Sequence, residues 1–114
     1  MKEIKAYVHA SRVADVISAI KDCAAWGADR RGHRHNLAVY VVRGSLLASD
    51  SGEMHYSMDL GDEMINEYKI ELICEDGEVD DIVRDLVAAG RTGQDVAGWV
   101  TVSDLTTAVP IRRA

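Results

Sequence analysis

The sequence predicts an α+β fold in which two strand–helix–strand halves share one antiparallel sheet. Three observations carry this expectation. Segments with two-residue alternation of apolar side chains trade places along the chain with segments of helical spacing. They come in the order strand, helix, strand, strand, helix, strand. Between the halves, residues 44–65 have no clean periodicity and read as one long loop.

Residues 1–10 read as the first strand, with Ile4, Ala6 and Val8 on one face. Ser11 is expected to cap the first helix, where Val13, Val16, Ile17, Ile20 and Ala24 form an apolar stripe. Residues 25–36 contain Gly27 and Gly32 and read as a polar connection. Leu37, Ala38, Val39, Tyr40, Val41 and Val42 suit the second strand, being rich in β-branched and aromatic side chains. Residues 67–74 are the third, with Tyr68, Ile70, Leu72 and Cys74 pointing one way. Asp76 is expected to cap the second helix, with Glu78, Asp80 and Asp81 favourably placed in its first turn. Its buried stripe is Val79, Ile82, Val83, Leu86 and Val87, and residues 99–105 form the last strand. This order matches the ferredoxin-like split βαβ arrangement, βαββαβ, with both helices on one sheet face. The other face must be covered or solvated; Tyr40, Trp99 and Thr101 suit either state, which suggests a subunit interface there.

A length of 114 residues with 47% hydrophobic content fits a single domain, residues 1–114, with a real core. At this size, further burial by oligomerisation is unsurprising. No apolar run is long enough to span a membrane, and the first residues lack a signal peptide's apolar stretch, so the expected location is cytoplasmic. Cys23 and Cys74 imply neither a disulfide framework nor a metal-type pair, and both read as small core residues. The net charge of −6 argues against nucleic acid as a partner. Charge is unevenly placed: Arg30, Arg31, Arg34 and Arg43 crowd one region with His33 and His35. Asp50, Glu53, Asp59, Asp62, Glu63 and Glu67 follow with no intervening Lys or Arg. Two faces with different partners are expected.

The stretch Gly90-Arg91-Thr92-Gly93-Gln94-Asp95-Val96-Ala97-Gly98 joins the second helix to the last strand. A basic, glycine-bracketed loop there suits a phosphate-bearing ligand, because glycines let backbone N–H groups approach anionic oxygens. The alternative at Gly90 is a plain helix C-cap. His33 and His35 form an H-x-H pair, but the flanking arginines repel a cation, and a solvated loop is favoured over a metal site. The acids of residues 44–65 lack the spacing of a calcium loop. Met54, Met58 and Met64 offer adaptable apolar contacts to a partner. Trp26 and Trp99 suit either base stacking or core and interface positions. No Ser/His/Asp or Cys/His arrangement and no phosphate-loop lysine motif is present, so no enzyme activity is expected.

Three segments, in register, resemble the nitrogen-regulatory P-II signalling family. They are the opening Met1-Lys2-Glu3-Ile4-Lys5-Ala6-Tyr7-Val8, the stretch Tyr68-Lys69-Ile70-Glu71-Leu72-Ile73, and Arg91-Thr92-Gly93 followed by a strand and the ending Ile111-Arg112-Arg113. The resemblance implies a homotrimer with adenine nucleotides in intersubunit clefts. It also implies a T-loop, residues 44–65 here, that signals occupancy to a partner transporter or enzyme. Carried over by position, Arg91, Thr92, Gly93 and Gln94 with Gly98 would form the phosphate side and Arg112 would approach from the tail. Gly44 and Ser45 would supply backbone at the loop base, and Glu71 with Ile73 would lie near the nucleoside. The chain departs from the family at Glu67 and Trp99, where lysines are common, at Val96 and Ala97, where a Gly-Asp pair is usual, and at Pro110, in place of a tail arginine. Fewer cations and an added carboxylate favour AMP or ADP over ATP with Mg²⁺ and weaken coupling to 2-oxoglutarate. Tyr56 is not assigned as a uridylylation site. The expectation is a divergent P-II-like sensor that holds no metal. The alternative is a metal-binding or structural trimer similar to the divalent-cation tolerance protein CutA, without nucleotide.

Overall fold

Alternation builds the sheet. In the computed structural model, which describes residues 1–26, 36–48 and 54–114, β1 (Lys2–His9) buries Ile4, Ala6 and Val8 and turns Glu3, Lys5 and Tyr7 to the opposite face. β1 lies between β4 (Asp62–Cys74) and β5 (Trp99–Asp104) and is antiparallel to both. β2 (Ala38–Gly44) pairs with the other edge of β4, giving the order β2-β4-β1-β5. Because Ala6 faces Ile70 and Ile4 faces Leu72, the apolar positions of both strands share one side.

α1 (Val13–Asp22) and α2 (Val79–Gly90) cover that side. Val16, Ile20, Ile82 and Leu86 meet Ile4, Ile70 and Leu72 in one core, joined by Cys23, Cys74 and Trp26. Each fully buried aliphatic side chain contributes about 1.5–3 kcal/mol relative to exposure. This is the α+β, ferredoxin-like arrangement that the order of elements predicts. Among the described residues, no helix is long and apolar enough to cross a membrane.

Three details differ from expectation. The stretch read as a continuous loop contains β3 (His55–Ser57), which pairs with the first residues of β4 in a hairpin. β4 therefore starts at Asp62, well inside that stretch. Gly61 makes the turn with φ +69°, a left-handed conformation that favours glycine. Tyr56, Met58 and Leu60 of the hairpin are exposed, so no buried face imposed a period on the sequence.

Both helix caps also move. Ser11 lies within a short 3₁₀ turn, Ala10–Arg12, and does not cap α1. Glu75 and Glu78 cap the turn before α2 reciprocally, each carboxylate accepting from the other's end of the turn. Asp76 instead pairs with the N-terminal ammonium at 2.9 Å. Third, Val87 is exposed, so the buried stripe of α2 is narrower than the spacing suggested.

Arg12 ties the two helices together. Its Nε and Nη2 both donate to the Ala89 carbonyl, at 3.0 and 2.8 Å, and Nη1 pairs with Asp15 at 3.0 Å. A cation thus satisfies a terminal carbonyl of α2. Arg12→Ala is expected to lower unfolding free energy by about 1–2 kcal/mol, the worth of charge-assisted bonds to a helix end. Urea denaturation checks this; an unchanged midpoint would mean that the contact carries no stability.

Candidate functional site

The site begins where α2 ends. Arg91 leaves the helix in an extended conformation, and Gly93 turns the chain at φ +94°. Gly98 then passes so close to β1 that a Cβ there would lie 2.1 Å from the Tyr7 carbonyl oxygen. Between these glycines, residues 91–98 arch over a cleft of about 340 Å³, with walls that include Tyr7, Val8, Leu86, Val87, Val96 and Trp99. Arg91 is exposed, and Trp99 is 62% exposed beside the same opening. The cleft therefore combines an apolar interior with a glycine-rich rim that carries Arg91 and Asp95, so that glycine backbone and one cation are available to a ligand with an apolar body and an anionic end.

Two side chains fasten the start of the long segment next to this arch. The Gln94 amide donates to the carbonyls of Leu47 (2.9 Å) and Ala48 (3.2 Å). Its own Oε1 accepts from the Thr92 hydroxyl at 2.7 Å, and that hydroxyl accepts the Gln94 backbone N–H at 3.3 Å. From β4, the buried Glu67 carboxylate accepts the Leu46 N–H at 3.0 Å. A Cβ on Gly44, at the end of β2, would overlap that carboxylate and displace it. Gly44, exposed Ser45, Arg91, Thr92, Gly93, Gln94 and Gly98 are thus gathered in one region.

Glu71 and Ile73 lie elsewhere in the fold. Glu71 faces Lys5 and Ile73 faces Glu3, toward the opposite end of β1 from Tyr7. At about 3.3 Å per strand residue, Ile73 is roughly 13 Å along the sheet from the arch. Ile73 donates its N–H to Asn36 Oδ1 (3.0 Å), and its carbonyl accepts from the Trp26 indole (3.1 Å). Arg112 is exposed and follows the end of β5, which has by then reached the register of Lys2.

Glu71 belongs to a polar network on the open sheet face. Its Oε1 accepts from the Tyr40 hydroxyl at 2.6 Å, lies 3.5 Å from Lys69 Nζ and 4.0 Å from Lys5 Nζ. Lys69 Nζ sits 5.4 Å from the Tyr7 ring centre and 5.2 Å from that of Tyr40. The Tyr40 hydroxyl first, and then Lys69 and Lys5, hold the Glu71 carboxyl below its ordinary range against the opposing effect of burial. Tyr40, and next Tyr7, push the Lys69 ammonium above its ordinary value.

Sequence reasoning missed the role of Glu67 and the carbonyl acceptors on Leu47 and Ala48. The clue to Glu67 was Gly44, a glycine ending a β-branched strand and leaving room for a side chain. The backbone acceptors had no sequence signal. Among the described residues, no group of three or more His, Cys, Asp or Glu could hold a metal ion. His33, His35, Arg30, Arg31 and Arg34 lie outside the described residues, as do Asp50 and Glu53.

Two outcomes are expected. Gly98→Ala forces the arch away from the Tyr7 carbonyl and should cost about 1–3 kcal/mol, as overpacking does; denaturant unfolding measures it, and a neutral result would deny the close approach. Tyr40→Phe should raise the Glu71 pKa toward the ordinary glutamate value, read by carboxyl-carbon NMR titration. Because the folded value is the lower one, this contribution to stability is complete above the unfolded pKa and is lost as pH falls through the folded value. An unmoved Glu71 titration would contradict the network.

No family model matches the chain. Two curated proteins, each named nitrogen regulatory protein P-II, are similar to it over 112 residues. The one from Synechocystis sp. is 27% identical and the one from Microchaete diplosiphon 26%. Each match spans 98% of this chain and 92% of the relative.

Proposed function

We infer that this chain, a divergent P-II-like signalling protein, senses an adenine nucleotide with the arch of residues 91–98 and reports it through the long segment after β2. The observation that carries this reading is the glycine-bracketed arch with Arg91 at its start, bonded directly to the start of that segment. Its backbone and Arg91 supply fixed donors for phosphate oxygens, and the apolar cleft with Trp99 supplies a surface for a nucleoside.

The distribution of the other residues supports a shared site. Glu71 and Ile73 lie away from the arch along the sheet, so one small ligand meets both groups only between copies. Exposed Val39, Tyr40, Val41, Trp99 and Val102 leave apolar area on the outer strands β2 and β5 for such contacts. The closed assembly that gives each copy an identical cleft is a ring, and a homotrimer is the proposed form.

AMP or ADP is the proposed ligand in preference to ATP. The arch offers Arg91 without a neighbouring lysine, and the Glu67 carboxylate at the loop base adds negative charge where a third phosphate would need cations. Nucleotide shifts the long segment between states only by its difference in affinity for them. A cytoplasmic transporter domain or enzyme is the proposed target, met by the exposed Met and Tyr side chains of the hairpin.

Calorimetric titration with AMP, ADP and ATP, with and without Mg²⁺, tests this. Saturation near one nucleotide per subunit is expected, with AMP or ADP tighter than Mg–ATP. Arg91→Ala with Arg112→Ala should weaken binding by roughly a hundredfold, given two charge-assisted contacts, and leave the assembly mass unchanged. Absence of binding with all three nucleotides would overturn the reading.

A further inference from the structure

We propose that Gln94 is the positioning residue through which occupancy of the cleft reaches the long segment after β2. The proposal rests on the nucleotide-sensing reading for the identity of its ligand, and on the geometry of one side chain for the connection itself. Gln94 belongs to the arch that borders the cleft, while its amide nitrogen holds the carbonyls of Leu47 and Ala48. The arch and the segment are distant in sequence, and these are the side-chain hydrogen bonds that join them among the described residues.

The chemistry makes the link directional. A glutamine amide can turn over and present either oxygen or nitrogen to a neighbour. Here the Thr92 hydroxyl donates to Oε1 and so fixes the nitrogen toward the two carbonyls. The same hydroxyl accepts the Gln94 backbone N–H, which locks side chain and main chain of the arch into one unit. A ligand that draws Thr92 or the arch backbone toward its anionic oxygens must therefore move the amide that holds Leu47 and Ala48.

Glu67 supplies the fixed point. Its carboxylate comes from β4, in the frame of the sheet, and holds Leu46 N–H one residue before the carbonyls that Gln94 holds. The loop start is thus pinned on one side to a rigid strand and on the other to the arch. Displacement of the arch swings the chain after Leu46 and leaves Gly44 in place. Such a two-point mounting converts a small shift at the cleft into a change of direction for the residues that follow.

Carbonyl-carbon NMR of the intact protein tests the link in two arms, with Gln94→Ala and Gln94→Glu beside the unmodified chain. Without ligand, both variants should move the Leu47 and Ala48 carbonyl resonances, whose hydrogen bonds from the Gln94 amide they lose, while the carbonyls of β1 keep theirs. With ADP at concentrations that saturate each protein, the unmodified chain should shift these two carbonyls and the variants should not. Unmoved Leu47 and Ala48 carbonyls in both ligand-free variants would overturn the link. So would a ligand response at these carbonyls that persists in the variants. If ADP binds none of them, the sensing reading fails, and the ligand-free arm still decides whether Gln94 holds the loop start.

Discussion

β1 is paired along both edges, with β4 over all eight residues and with β5 over Lys2–Tyr7, and the core and the arch take their positions from that double pairing. Its interior side chains, Ile4, Ala6 and Val8, give the two helices their floor. Its Tyr7 carbonyl leaves space only for a glycine at residue 98, which fixes one foot of the arch. Its register with β4 sets Glu67 opposite His9, at the end of the sheet where the long segment departs. A slip of one residue would turn the apolar face of β1 to solvent and shift the Tyr7 carbonyl away from Gly98. Core and site are therefore held by the same pairing.

Much of this frame is legible in the sequence because burial imposes a period. Ile4, Ala6 and Val8, or Ile70, Leu72 and Cys74, alternate because only one face of their strands is buried. Val16 with Ile20, and Ile82 with Leu86, recur at helical spacing for the same reason. The β3 hairpin has no such constraint. It is an exposed, partly acidic ribbon in which Ser57 and Ile65 are buried but Tyr56, Met58 and Leu60 are not. Its composition therefore matches that of a loop. The caps were misplaced for a related reason: short 3₁₀ turns precede both helices and shift the true helix starts past Ser11 and Asp76.

The candidate site is legible only in part. Glycine and arginine spacing at residues 90–93 marks a loop fit for anions, and the arch stands there with Gly93 in the left-handed conformation that only glycine adopts cheaply. Glu67 reads in the sequence as a lost cation, whereas in the fold it is a buried acceptor that anchors Leu46. A charge pattern does not reveal which carboxylate is spent on the protein's own backbone. Gln94 reads as part of a phosphate loop, while its amide is committed to Leu47 and Ala48. Such bonds to carbonyls leave no trace in residue identity, because every residue carries a carbonyl.

The proposed sensing and the fold meet where the end of the sheet adjoins the arch and residues 44–48. The loop start is held to the arch by hydrogen bonds from Gln94 and to the sheet by one from Glu67, contacts whose loss leaves the core untouched. The most direct measurement is an NMR titration of backbone amides with ADP. The amides of Gly93, Gln94 and Gly98 should shift together with those of Leu47 and Ala48, all with one dissociation constant, while Ile4 and Leu72 in the core stay still. Shifts confined to the arch, or absent from both regions, would contradict a cleft that speaks to the long segment.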